Sequence, residues 1–197
     1  LITSIKSSVV VASGLVKGII SLDGLNAPMQ ETISEMLSDL REAEEAAAAE
    51  QLTFLPKAIY VCNTNMLADD AGQSDDPKQD FDQRQAPPIL IWRYLTETCG
   101  IPADEVAVYA DLKTHKDFPL PADFNLYSGG DGDYEEFTAG DYRHIIFNQS
   151  LQEGWDDPAT YFAYVDKSMD STIQITQIVG RVLRQPGATH YESDRLN

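Results

Sequence analysis

Positive charge is scarce in this chain. Its 14 lysines and arginines face 32 aspartates and glutamates, for a formal net charge of −18 and a pI near 4.3. Such a surface repels nucleic acid at long range, so a nucleic-acid role requires a local positive patch or a basic partner domain. The plain alternative is acidity for solubility in a salty habitat. Cysteine is nearly missing. Cys62 and Cys99 stand far apart in apolar settings, with no C-x-x-C and no metal-ligand spacing. Two reduced core or near-core thiols of a cytoplasmic protein, and no metal, are expected. No apolar run approaches the roughly 18 residues of a membrane span, and a secretory signal is lacking. There is no glycine-lysine-threonine phosphate loop, no acidic pair of the D-E-x-[DH] type for magnesium, and no nucleophile with an attached general base. The chain opens on Leu1 in mid-pattern, as an excised piece of something longer would.

What is present alternates. Val9 to Ala12 and Ile19 to Leu22 are short β-branched or apolar runs, the second closed by Asp23-Gly24. A helix is predicted from Pro28, with Met29, Ile33, Met36, Leu37, Leu40 and Ala47 at helical spacing. Its alanine- and glutamate-rich end, Glu42 to Glu50, has little to bury and is expected to project or to cover a sheet shallowly. Lys57 to Cys62 reads as a parallel strand buried on both faces. Between Asn63 and Pro88 the periodicity disappears, six aspartates face Lys78 and Arg84, and a solvated acidic loop or insertion is expected.

Ile89 to Thr98 reads as a helix closed by Gly100, and Val106 to Tyr109 as a buried strand. Loops follow at Phe118 to Pro121 and Ser128 to Gly132, then a helical turn at Glu135 to Ala139. His144 to Phe147 and Tyr161 to Val165 are strands, and Thr172 to Leu183 is a helix. His115, His144 and His190 lack ligand-spaced partners, and Asp131 with Asp133 reads better as a polar turn than as a cation site. Alternating strands and helices point to a three-layer α/β domain with a mainly parallel sheet, its ligands beyond the carboxyl ends of the strands.

Two stretches carry chemistry there. Gln177 to Arg184 reads Q-x-x-G-R-x-x-R. Two arginines three apart on a helix share a face, and a guanidinium matches phosphate oxygens through paired donors. Gly180 lets another backbone come close, and Gln177 can bond across the same cleft. The bland alternative is a surface helix whose arginines pair with the acidic excess. Leu151 to Asp156 reads LQEGWD. Gly154 permits a sharp turn and frees a backbone N–H for an anion. Asp156 can accept from a ribose hydroxyl, orient an arginine, or simply make the turn. Trp155 can stack on a base or pack in the core.

These residues resemble a family. Gln177 to Arg184 is similar to the sixth conserved motif of superfamily 2 helicases and translocases, Asn148 to Asp156 to the fifth, and Lys57 to Thr64 to the strand and loop of the fourth. The phrases LQEGWDDP, AYVDKSM and QIVGRVLRQPGA resemble still more closely the restriction subunit of type III restriction-modification enzymes. The resemblance runs from about Gly14-Leu-Val-Lys17 to the end and is most specific from His144 to Gly187.

The resemblance implies a second RecA-like domain, the C-terminal motor domain of a P-loop NTPase helicase. Residues 57–197 would form it, with an acidic insertion at 65–88, and residues 1–56 would lead in or pack on it. It implies ATP and Mg2+ held in the full-length protein against a first RecA-like domain, with no cofactor expected in this chain alone. Arg184 would be the arginine finger, Arg181 its companion and Gln177 the leading glutamine of the motif. Gly154, Asp156 and Gly180 would face the nucleotide, while Thr64 and Asn148 would touch the backbone of tracked DNA. Many relatives have threonine where this chain has Asn148. Partners implied are DNA, the first RecA-like domain and a modification (methyltransferase) subunit, in the cytoplasm and off the membrane. The first domain, with its phosphate loop, and the nuclease region of the family are not in this chain. The rival expectation is a non-enzymatic acidic α/β interaction domain that docks through Ala46 to Ala49 and the acidic loop.

Overall fold

A computed structural model describes residues 6–18, 27–63, 65, 74–148, 156–166 and 178–197. The run Ile19 to Leu22, Thr64, most of the first half of the acidic loop, and Gly154, Trp155 and Gln177 lie outside the described residues. The described elements are α1 (Ser7–Ala12), α2 (Met29–Ala49), β1 (Lys57–Val61), α3 (Pro87–Arg93), β2 (Val106–Tyr109), β3 (Asn125–Tyr127), α4 (Asp133–Ala139), β4 (His144–Phe147) and β5 (Thr160–Val165). Residues 178–182 are also helical. This is an α/β fold with a mainly parallel central sheet.

The five strands lie in the order β3-β2-β4-β1-β5. β2 runs parallel to β3, with Val108 opposite Leu126, and to β4, with Val108 opposite Ile146. The Lys57 N–H donates to the Ala159 carbonyl at 2.8 Å, and the Asp166 N–H to the Val61 carbonyl at 2.8 Å. Both chains advance together between those bonds, so β1 and β5 are parallel too. β2 and β4 are buried throughout and β1 beyond its first residue, as near-continuous apolar strands of a parallel sheet should be. β3, a three-residue edge strand, gives almost no sequence signal.

The chain divides into two compact units, the divisions falling within β1 and β5. One comprises Leu1–Ala58, Asp156–Ala163 and Thr172–Asn197; the other comprises Ile59–Trp155 and Tyr164–Ser171. In the first, α2 buries Ile33, Leu37, Leu40, Ala43 and Ala47 along one face. Pro28 stands at its N-cap, one place before the helix proper. The helix closes with Gln51 at φ 56°, while the Leu52 N–H reaches the Ala47 carbonyl and the Gln51 N–H the Ala48 carbonyl. That is the Schellman pattern, here on a residue other than glycine.

Of the two expectations for the alanine-rich end, projection is not what is seen; it packs beside Tyr161 and Phe162 of β5. Ala43 and Ala47 are sealed against Leu196, with Leu52, Tyr161, Phe162 and Tyr191 around them. Their small side chains admit the C-terminal turn close to the helix, and the Glu50 carboxylate accepts the Glu192 and Ser193 amides at 3.0 and 2.7 Å. Val9 to Ala12 also departs from its β-branched composition. It lies in helix α1, where the Ser13 side chain and amide close the last turn on Val10 and Val9 carbonyls. Local hydrogen bonding overrides the weak strand preference.

In the second unit, α3 packs on β2 and β4 and continues as a π-helical turn, Tyr94–Thr98, in which the Cys99 amide reaches back to the Tyr94 carbonyl. The acidic stretch before it is not a purely solvated loop. Asp75 and Arg84 are buried, and Phe81 packs edge-on against Trp92 and Phe124 with ring centroids 5.6 Å apart. Cys62 is buried and Cys99 exposed, both free, so only one of the two thiols belongs to the core.

Candidate functional site

The described part of the site sits in the first unit, where segments 14–17, 156–160 and 178–188 meet. The helical stretch ends at residue 182, and Arg184 forms an antiparallel bridge with Val16. Arg181 is therefore on the helix and Arg184 is beyond it, which corrects the expectation of two arginines on one helical face. The cause lies in residues 14–17. The Lys17 amide donates to the Leu183 carbonyl at 2.7 Å, and the Gln185 amide to the Leu15 carbonyl at 3.2 Å. The backbone is drawn off its helical path into this short ladder.

Gly14 makes the approach possible. It has φ 73°, and a Cβ there would lie 3.0 Å from the Ala188 carbonyl oxygen and the Thr189 Cα. Only glycine takes that backbone shape freely and leaves that space.

The last carbonyls of a helix need partners, and here one buried side chain serves the final one. Lys17 Nζ donates to the Val182 carbonyl at 2.8 Å and also to the Arg184 carbonyl. The same nitrogen meets the Thr160 and Pro158 carbonyls at 3.1 and 3.3 Å, and it lies 4.0 Å from the centroid of the Tyr161 ring. Burial pushes the Lys17 ammonium down to about 7, against an opposing pull from Asp157. The four carbonyls and the ring face favour the charged form. Asp157 pairs with Lys57 at 2.8 Å and accepts the Ala159 amide at 3.0 Å, so the chain turns there into β5.

Within this frame the Arg184 guanidinium donates to the Asp156 carboxylate. The two side chains are 56% and 42% exposed. Exposed ion pairs are worth about 0–1 kcal/mol, so this contact orients Arg184 without locking it. Of the three readings of Asp156, orientation of an arginine is realised. The Arg184 amide meets the Arg181 carbonyl at 3.4 Å, one turn back. Gly180 is exposed, and among the described residues nothing comes within 4 Å of a Cβ placed on it. Among the described residues no close approach requires that glycine.

Comparisons with protein-family models, curated proteins and solved structures found no match.

In the second unit, Asn148 directly follows β4 and is half-buried. The Cys62 amide donates to the Phe147 carbonyl at 3.2 Å, so the chain leading to Thr64 leaves the sheet beside the chain leading into Asn148. Thr64 itself lies outside the described residues, as do Gly154 and Gln177.

The other polar candidates have structural partners. His144 is buried and shares a 2.9 Å hydrogen bond between Nδ1 and the Tyr60 hydroxyl. Burial, then the neighbouring Arg143 charge, lowers its pKa to about 4. His115 is half-buried beside Phe118 and accepts the Asp117 amide at 3.3 Å. The Asp133 carboxylate accepts the amides of Ser128, Gly129 and Gly130 at 2.7–3.1 Å, the polar turn expected there. Among the described residues no cluster of three or more His, Cys, Asp or Glu side chains could hold a metal, and no helix is long and apolar enough to cross a membrane. Lys17 and Asp157 are the residues that sequence reasoning left without a role. A lysine inside an apolar run, at the start of a glycine-led segment, was the signal for the first.

Proposed function

We propose that this chain is the second RecA-like domain of an ATP-dependent DNA translocase or helicase, of the kind found in the restriction subunit of type III restriction-modification enzymes. In this reading Arg184 and Arg181 are supplied to ATP and Mg2+ held by a first RecA-like domain. One observation carries it. Arg184 stands just past the helix, half-exposed, on a backbone pinned by Lys17, and its guanidinium is paired with the exposed carboxylate of Asp156. A fork-shaped cation oriented so weakly can be surrendered to phosphate oxygens at small cost, because two parallel bonds to a more highly charged group replace it.

Arg184 would then neutralise charge on the departing phosphoryl group, an effect worth about 10³–10⁵ in rate for other arginine fingers. Gly180 leaves open the space through which a phosphate tail or a neighbouring backbone would approach. Asn148, with Thr64, would meet the DNA backbone at the carboxyl ends of β4 and β1. The net charge of −18 confines such binding to that local contact.

Steady-state ATPase assays on the isolated chain and on a polypeptide joining it to the first domain test this. The chain alone should be inert, and in the joined polypeptide Arg184→Ala should cut kcat steeply while changing the KM for ATP much less. Robust turnover by the isolated chain, lost in Arg184→Ala, would defeat the half-site reading. So would near-normal DNA-stimulated turnover of Arg184→Ala in the joined polypeptide.

A further inference from the structure

The two segments that present Arg184 and Asp156 share one buried anchor. Four carbonyls converge on Lys17 Nζ: Pro158 and Thr160 just after Asp156, and Val182 and Arg184 itself. The backbone around Lys17 adds the Leu183 and Gln185 hydrogen bonds, and Val16 bridges Arg184. The Arg184–Asp156 contact is too exposed to fix either segment. The ammonium is not: Lys17 is 7% exposed, and an ammonium has three donors to divide among these acceptors.

We infer that Lys17 is a positioning residue, whose single ammonium gathers the carbonyls of residues 158, 160, 182 and 184 and so sets the distance at which the Arg184 guanidinium meets Asp156. The inference deepens the motor reading and rests on it only for the use to which Arg184 is put. Lys17→Met keeps a similar unbranched stem but offers no donor. It would leave four carbonyls without their shared partner, and the two segments would separate.

The test uses the chain itself and no nucleotide, so it can fail while the motor reading holds, and the reverse. Proton–nitrogen spectra of the arginine Nε–H groups are recorded, the Arg184 signal being assigned by its loss in Arg184→Lys. Asp156→Asn should move that signal towards the position of a solvated arginine, and Lys17→Met should move it the same way. The signals of Arg195, held by Glu42 in the same unit, and of Arg84, held by Asp75 in the other, should stay at their wild-type positions and report an intact fold. An Arg184 signal unmoved in Lys17→Met, or unmoved in Asp156→Asn, overturns the proposal. Should Lys17→Met not fold, the wild-type ammonium decides. At mildly acidic pH the Lys17 Nζ should give a slowly exchanging signal with scalar couplings to the carbonyl carbons of residues 182 and 184. Fast exchange with solvent and no such coupling would overturn the proposal.

Discussion

Arg84 Nε donates to Asp75 Oδ2 at 2.6 Å, and each side chain is 1% exposed. The second carboxylate oxygen of Asp75 accepts the Gln85 and Ala86 amides at 2.7 and 3.1 Å, and Arg84 Nη2 donates to the Lys113 carbonyl at 2.9 Å. Three of these bonds close the acidic stretch on itself, and the fourth ties it to Lys113 in the same unit. Two charges are shut from water, and their mutual attraction offsets the loss of hydration only while both are present.

Removing one of the two should therefore be severe. Asp75→Ala or Arg84→Met is expected to destabilise the chain by about 3–5 kcal/mol, the range for a charge left buried and unpaired. Replacing both with apolar residues of similar volume should cost less than either single change. Urea unfolding midpoints of the three variants measure this. Equal, near-zero effects would mean that the stretch is not docked in solution.

Stability should fall in acid through His144. Its folded pKa, lowered from 6.5 to about 4, lies below the unfolded value. Between those pH values the unfolded chain binds a proton that the folded chain refuses. The contribution is thus present above pH 6.5 and is lost as pH falls towards 4, by roughly 3 kcal/mol in all. His144→Gln should flatten that part of the stability-versus-pH curve, measured as the difference from wild type so that carboxylate titration cancels.

The C-terminal turn should be sensitive to volume. Leu196 is fully buried against Ala43 and Ala47, so Leu196→Ala is expected to cost about 2–5 kcal/mol. Ala47→Leu, which overfills the same contact, should cost about 1–3 kcal/mol. Thermal unfolding separates these from Val9→Ala, whose side chain is 56% exposed and whose loss should scarcely register.

Gly14 and Gly100 make a matched pair. Both have a positive φ, 73° and 72°, but of the two only at Gly14 would a Cβ meet backbone atoms, and at Gly100 it meets nothing within 4 Å among the described residues. Gly100→Ala should carry conformational strain alone, about 1–2 kcal/mol. Gly14→Ala should exceed it, because residues 188–189 must also move. Equal losses in chemical denaturation would show that the approach of the two segments is looser than described.

Sequence periodicity was enough for elements that stand by themselves. α2, β1, β2, β4 and β5 fall where spacing and burial predict them, because a strand buried on both faces or a long one-sided helix leaves its mark in consecutive residues. The misses share a different cause. α1 depends on a local hydrogen-bonded closure that its composition disfavours. The burial of Asp75 depends on an arginine nine positions on and a carbonyl from another segment. Arg184 leaves the helix because residues 14–17 draw it away. For Asp75 and Arg184 the deciding partners, the Lys113 carbonyl and residues 14–17, lie beyond any window of neighbouring residues. Orientation of an arginine was one of three readings that the sequence left open for Asp156, whereas Lys17 had none, since nothing local says which carbonyls a lysine will collect.

The bond from Lys17 to the Arg184 carbonyl spans 167 positions of chain. A nascent polypeptide emerging from a ribosome has made this lysine long before its acceptors exist. Throughout that interval the ammonium must remain in water, because burial without the carbonyls is unfavourable. The segment holding Gly14 to Lys17 therefore cannot take its final place until residues 182–184 have been made. Closing so long a loop is slow compared with forming local helices. The half-exposed arginine should accordingly reach its finished setting among the last events of folding, which makes this corner a natural point of attack for proteases during synthesis.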